Sequence, residues 1–272
     1  MGKGKPFLEV LASAIHEDYR FPFLEIFAFL YVTATFSLAS FGITITSLGN
    51  TGQVMATANE IAAYGLVSSI LSLPLFILII LIFKNIAYGL GNELEKGIIQ
   101  TYFSYPIKRQ KILTAKLISA LGVALLLFLG IQISALYILA PEIILPQFGT
   151  VLLTYASSLS YPLLIAGIIL LLTMKLRRGG ISLVVGIVLY FAMSMVSGVL
   201  TVIATFTESP LPLQILSTIS PSLVAQQYHL GILGDYWTPP LSEVLLFTGV
   251  SYVIVAFVYI LGYIYFSRRL NL

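Results

Sequence analysis

The chain has 272 residues, 58% of them hydrophobic and 9% charged, with a mean hydropathy of +1.00. Soluble domains are about 25% charged, and 14 basic plus 11 acidic side chains cannot clothe a soluble particle of this size, which excludes a water-soluble enzyme and leaves a polytopic membrane protein. There is no cysteine, hence no disulfide framework, thiolate nucleophile or cysteine metal site, and the pI near 9.0 reads as membrane orientation rather than as a nucleic-acid partner.

Charged residues leave seven long uncharged stretches: 26–59, 61–83, 117–141, 143–174, 179–207, 209–234 and 244–267. A helix needs about 20 mostly apolar residues to cross the hydrocarbon core, and six of the seven read as spans. The stretch 209–234 does not, because Pro210, Pro212 and Pro221 would strand backbone groups in lipid. The expected fold is an all-α polytopic membrane protein, a single transmembrane domain with six transmembrane helices.

In chain order, residues 6–20 come first. Phe7, Leu8, Leu11, Ala14 and Ile15 share one face there, while Glu9, Glu17 and Asp18 are foreign to a cleavable signal peptide. An N-terminal amphipathic helix on the inner membrane surface is expected. The first span, near 23–47, carries Thr33, Ser37, Ser40, Thr44 and Ser47 along one seam. The second, near 63–83, leads into the one long inner connection, Lys84 to Lys116. Within it, 93–106 reads as a short amphipathic helix: Glu93, Glu95 and Lys96 precede Ile98, Ile99, Tyr102 and Phe103, and Pro106 breaks it.

Lys108, Arg109 and Lys111 open the third span, near 115–139. The fourth and fifth lie near 149–173 and 181–205, the fifth with a second seam of Tyr190, Ser194, Ser197, Thr201 and Thr205. Residues 206–241 are too apolar for a solvated loop and are expected as short extracellular helices. There His229 reads as an interfacial polar tip and Trp237 as an aromatic anchor. The sixth span lies near 242–266. With the amino terminus inside, all 14 basic residues and six of the 11 acids fall on the inner side, a net +8, against five acids outside. That partition follows the positive-inside rule and places both termini in the cytoplasm.

The run Glu95-Lys96-Gly97-Ile98 through Tyr105-Pro106-Ile107-Lys108-Arg109 to Lys116 resembles the signature of ABC-2-type transporter permeases. That pattern is an acidic residue, Gly-Thr-Leu, a leucine-rich turn, Pro-hydrophobic-Ser-Arg, and Gly-Lys opening the third span. Glu95, Gly97, Pro106, Arg109 and Lys116 match it, whereas Ile98, Lys108 and Ala115 depart from it. Ser220-Pro221 between spans five and six is also similar to the family.

The resemblance implies that 93–106 is a cytoplasmic coupling helix docking on a separate ABC ATPase subunit. The residues it implicates are Glu93, Glu95, Lys96, Gly97, Ile98, Ile99, Tyr102, Phe103, Pro106 and Arg109. It further implies an exporter-like complex in the plasma membrane, with a second permease copy or a sister permease bringing the spans to twelve. The possible translocation path is then lined by Thr33, Ser37, Ser40, Thr44, Ser47, Tyr190, Ser194, Ser197 and Thr201. ATP and Mg are expected on the partner ATPase. This chain has no G-x-x-x-x-G-K-[ST] phosphate loop, so no catalytic residue, cofactor or metal of its own is expected.

Plainer readings stand beside these. The inner segment also fits a basic flank touching anionic lipid, and hydroxyl seams also serve close helix packing. An ion-coupled secondary transporter would carry acids or histidines inside its spans, and here Glu25 and Glu243 sit only at span ends. An intramembrane hydrolase would need a paired base, but His16 and His229 fall on opposite sides. A non-transporting anchor or sensor with the same coupling motif is the remaining alternative. Uncharged hydroxyl seams suit amphipathic cargo: a drug, peptide or lipid-like molecule.

Overall fold

A computed structural model of the protein describes residues 6–45, 57–103, 107–232 and 236–268, without the side chains of 40–45. The described chain is helical throughout. Helix α1 (Pro6–Asp18) meets α2 (Phe23–Ile45) at a 66° bend. Helix α3 (Ala58–Phe83) begins with a capping box: the Thr57 hydroxyl accepts from the Glu60 amide at 3.4 Å, and the Glu60 carboxylate accepts from the Thr57 amide at 2.6 Å. It continues through a π-helical stretch, Lys84–Leu90, into α4 (Gly91–Glu95).

Next come α5 (Ile98–Phe103) and α6 (Arg109–Leu117), which runs through a second π-helical stretch, Ile118–Val123, into α7 (Ala124–Leu139). The chain then forms α8 (Pro141–Ile144), α9 (Phe148–Leu176), α10 (Gly179–Thr207), α11 (Leu211–Ser217), α12 (Ser222–Leu230) and α13 (Leu241–Arg268).

Five of these runs are long and apolar enough to cross a membrane: Ala58–Glu95, Arg109–Leu139, Phe148–Leu176, Gly179–Thr207 and Leu241–Arg268. The bent pair of α1 and α2 makes a sixth where the two are taken together. At 1.5 Å per residue, the 38-residue run Ala58–Glu95 is about 57 Å long. That exceeds the roughly 30 Å of hydrocarbon, so part of it stands outside the bilayer.

Helix α9 packs on α3 and α13, and α2 packs on α3 and α7. Their shared core includes Leu66, Ile70, Leu78, Ile165 and Ile169, with Tyr31 edge-on to Phe128 at 5.9 Å. A polar knot ties it together at Gln132, which is fully buried. Its amide donates to the Thr35 hydroxyl at 2.8 Å, and its carbonyl accepts from the Tyr155 hydroxyl at 3.1 Å. Three helices, α2, α7 and α9, are joined there by bonds that an apolar surround makes costly to leave unmade.

Helix α10 is the exception. Only 6% of its most apolar stretch is buried, against 61% for the α3 run and α9, and Val184, Val188, Phe191, Met195, Val199 and Phe206 all face outward. A mostly apolar helix so largely uncovered is made for lipid or for another chain.

The segment 206–241 departs from expectation at two residues. Trp237 is not an interface anchor and His229 is not a polar tip. Both are buried, in or against a small core of Tyr64, Leu213, Val224, Tyr228 and Val244. Trp237 donates to Glu243 at 3.2 Å, and its carbonyl accepts from Gln227 at 2.6 Å. Proline-started α11 and α12 fold over the end of α3 and hide both rings. His229 stacks on Tyr64 at 4.5 Å with neither ring nitrogen hydrogen-bonded. Burial holds it neutral, down from the usual 6.5 to about 4, with Glu60 a weaker opposing influence. The unfolded segment therefore takes up a proton below pH 6.5 that the folded one refuses until about pH 4. His229 alone should therefore take away stability as pH drops through that window, by on the order of 3 kcal/mol. The effect is read as a difference in detergent melting: between pH 7 and pH 4 the wild type should lose that much relative to His229→Phe, which keeps the ring stack, because the other titrating groups are common to both proteins.

Candidate functional site

Several of the expected coupling residues lie at one end of the helix bundle, where α1, the end of the α3–α4 run, α5 and α6 meet. Gly97 ends α4: its φ of +71° is a left-handed conformation that only glycine adopts freely. The Lys96 amide donates to the Asn92 carbonyl at 2.9 Å to close the last turn. The chain then reverses into α5, whose core-facing side is Ile99, fully buried. Phe103 lies edge-on to Phe266 at 6.0 Å and beneath the Arg109 guanidinium at 4.5 Å. Tyr102 lies under the Lys116 ammonium at 5.2 Å.

Lys116 is the hub. Its buried ammonium pairs with the buried carboxylate of Glu93 and reaches Glu17 of α1 at 3.4 Å. Beside it Ser119 donates to the Asp18 carboxylate, and Lys84 donates to the Asp18 carbonyl. The Tyr19 hydroxyl donates to the Ser119 carbonyl at 3.1 Å and accepts from Asn85 at 3.0 Å. The two π-helical stretches supply Lys84, Asn85 and Ser119 to this cluster. A π-helical turn frees backbone carbonyls, and those of Ser119 and Ala120 are taken up by Tyr19 and Asn85. Burial pushes the Asp18 carboxyl up to about 6, against the Ser119 hydrogen bond and the charges of Lys116 and Lys84. The arrangement is a structural clamp of α1 onto the ends of two long helices.

The expected coupling residues divide into two groups. Glu93 and Ile99 are turned inward, Glu93 to Lys116 and Ile99 into the core, so neither side chain is presented to a docking surface. Tyr102 and Phe103 are partly buried against α6 and α13. Glu95, Lys96 and Ile98 are exposed, together with Gln100 and Thr101. Glu95 has a second role: its carboxylate accepts from the Gly179 amide at 3.2 Å, at the N-terminus of α10. Here α4 and α10 touch glycine to glycine. A Cβ on Gly91 would lie 2.6 Å from the Gly179 Cα. Pro106 lies outside the described residues.

Of the first hydroxyl seam, Thr33 and Ser37 point outward from α2. Ser47 lies outside the described residues, as do the side chains of Ser40 and Thr44. In the second, Thr201 donates to the Ser197 carbonyl at 2.9 Å, and Ser194 is exposed. Tyr190 packs among Phe76, Phe83, Tyr161 and Phe191. The two seams lie on helices that do not form a packed pair. Tyr190 instead borders a cavity of about 280 Å³ between α3, α9, α10 and the outer helices, with hydroxyls from Ser68, Ser72, Ser158, Tyr161 and Ser220. This cavity was not foreseen from the sequence; Ser68 and Ser72, one helical turn apart on α3, are the signal that could have found it. Lys84, Asn85 and Asp18 were legible only as charges and amides flanking apolar runs. Among the described residues no cluster of histidines and acids could hold a metal ion. No family model matches the chain, and no curated protein matches it.

Proposed function

We propose that this chain is the membrane-spanning permease subunit of an ATP-driven transporter of the ABC-2 type, powered by a separate cytoplasmic ATPase. The observation that carries the reading is the inner lever. Short α5 and the exposed edge Glu95, Lys96 and Ile98 are set off by Gly97, and Glu95 is bonded to the N-terminus of α10. A push on that edge reaches α10, the least buried of the long helices among the described residues. In this reading α1 lies on the inner surface and α2 is the first of six spans. Both termini are cytoplasmic, and α10 packs against a second copy or a sister permease. Cargo is amphipathic, in keeping with an uncharged cavity of hydroxyls and aromatic rings, and moves outward across the plasma membrane. ATP and Mg belong to the partner.

Two measurements test this. In inverted membrane vesicles that retain the chain and its native partners, a fluorescent amphiphile should accumulate with ATP and not with an imposed proton gradient. Accumulation driven by the gradient alone would favour an ion-coupled carrier instead. For topology, Thr238→Cys should react with an impermeant maleimide on intact cells, and Gln110→Cys should react only after permeabilisation. Both positions are exposed, so the reverse pattern would invert the orientation.

A further inference from the structure

A cleft of about 820 Å³ opens between the end of α1, the start of α2, the α3–α4 run and α10. Its walls change character along their length. Phe23, Ile80, Phe83, Leu183 and Ile187 form the apolar part, with Ile80 and Ile187 exposed on different helices. The inner part holds His16, Arg20, Lys84 and Lys96. Three carboxylates also border it, and each has a protein partner. Glu17 and Glu93 are held by Lys116, and Asp18 accepts from Ser119.

The bases are not spent in this way. Arg20 and Lys96 are exposed, and among the described residues neither side chain has a hydrogen bond or ion pair. Lys84 stands 4.6 Å over the Phe23 ring and gives one hydrogen bond, to the Asp18 carbonyl. An ammonium has three donors, so two remain for a ligand. Free cations at one end and apolar walls at the other match one chemistry: a phosphate diester carrying hydrocarbon chains.

We propose that this cleft binds an anionic membrane phospholipid. Arg20, Lys84 and Lys96 hold its phosphate, and its chains run along Ile80, Leu183 and Ile187. A lipid seated there wedges α1 and α10 at a fixed separation. The site goes beyond the permease reading and does not depend on it, because its test needs neither ATPase nor cargo.

The purified full chain in detergent is equilibrated with micelles holding equal phosphatidylglycerol and phosphatidylcholine. Lipid retained per chain after size exclusion is then counted by mass spectrometry. The wild type should retain phosphatidylglycerol in preference. Taking each cation as worth about fivefold toward anionic lipid, Arg20→Gln with Lys96→Gln should cut that preference about 25-fold. Lys175→Gln with Arg268→Gln removes the same charge from exposed inner helix ends and should leave the preference intact. No preference in the wild type, or equal loss in both double variants, would overturn the site. Glycerol phosphate, which has the charge without the chains, should not compete at equal concentration. If it does, the site takes a free phosphate ester and the lipid assignment fails. All four substituted side chains are exposed, and an unchanged elution volume checks that the variants fold.

Discussion

Lys116→Ala should be among the most damaging single substitutions in the chain. It removes the one cation that lies between Glu93 and Glu17 and leaves the Glu93 carboxylate, 3% exposed, without a counter-charge. Breaking a buried pair from one side costs about 3–5 kcal/mol, because the stranded charge keeps its desolvation penalty. The loss should spread beyond α6, since the same ammonium covers Tyr102 of α5 and anchors α1. Adding Glu93→Leu to Lys116→Met should restore most of the stability, because that pair of changes strands no buried charge at Glu93. Thermal unfolding in detergent reads both effects. A double variant as unstable as Lys116→Ala would show that the ammonium acts through Glu17 and Tyr102 and not by neutralising Glu93, and equal melting of Lys116→Ala and wild type would remove the hub altogether.

The second large effect is expected at Gly91. Its missing side chain lets α4 and α10 approach backbone to backbone, and a Cβ there would also stand 3.3 Å from Thr173. Overpacking costs about 1–3 kcal/mol, and Gly91→Val should fall at the upper end because backbone cannot turn aside as a side chain can. Helix α10 should be forced from α4 and the bond from the Gly179 amide to Glu95 lost. Trypsin cleavage at Arg177 and Arg178, between α9 and α10, should then accelerate. Gly130→Val meets open space and should leave melting and cleavage as they are. A Gly91→Val protein indistinguishable from it would contradict the close crossing, and with it the route from the inner lever to α10.

Much of this architecture was legible because lipid imposes few solutions. Apolar runs long enough to cross a bilayer must be helices, and charges mark their ends. The break at Gly97 was not read: the pattern over 93–106 was carried as one short helix to Pro106, whereas α4 stops at Glu95 and α5 restarts at Ile98 across the left-handed Gly97. What stayed hidden was the direction of each side chain on short segments. Glu93 and Ile99 read as surface residues because a brief amphipathic stretch has two defensible faces. The partner that decides between them, Lys116, is 23 residues away in sequence. Trp237 and His229 misled for the opposite reason: an aromatic or a histidine near a span end usually meets the interface, but α11 and α12 fold back over both. Gln132 was passed over in the sequence, because its partners Thr35 and Tyr155 lie on two other helices and no local spacing points to them.

The exposed edge of the lever yields the most direct check on the proposed function. The tagged chain, solubilised gently from its native membrane, should bring down a second polypeptide that binds ATP through its own phosphate loop, and the pair should hydrolyse ATP where the purified chain alone does not. Gln100→Arg with Thr101→Trp, exposed on α5 beside that edge and clear of the lipid cleft, should release that polypeptide while the chain still melts like the wild type. Recovery of the chain without any ATP-hydrolysing partner, or recovery of the partner undiminished by the edge variant, would contradict the account.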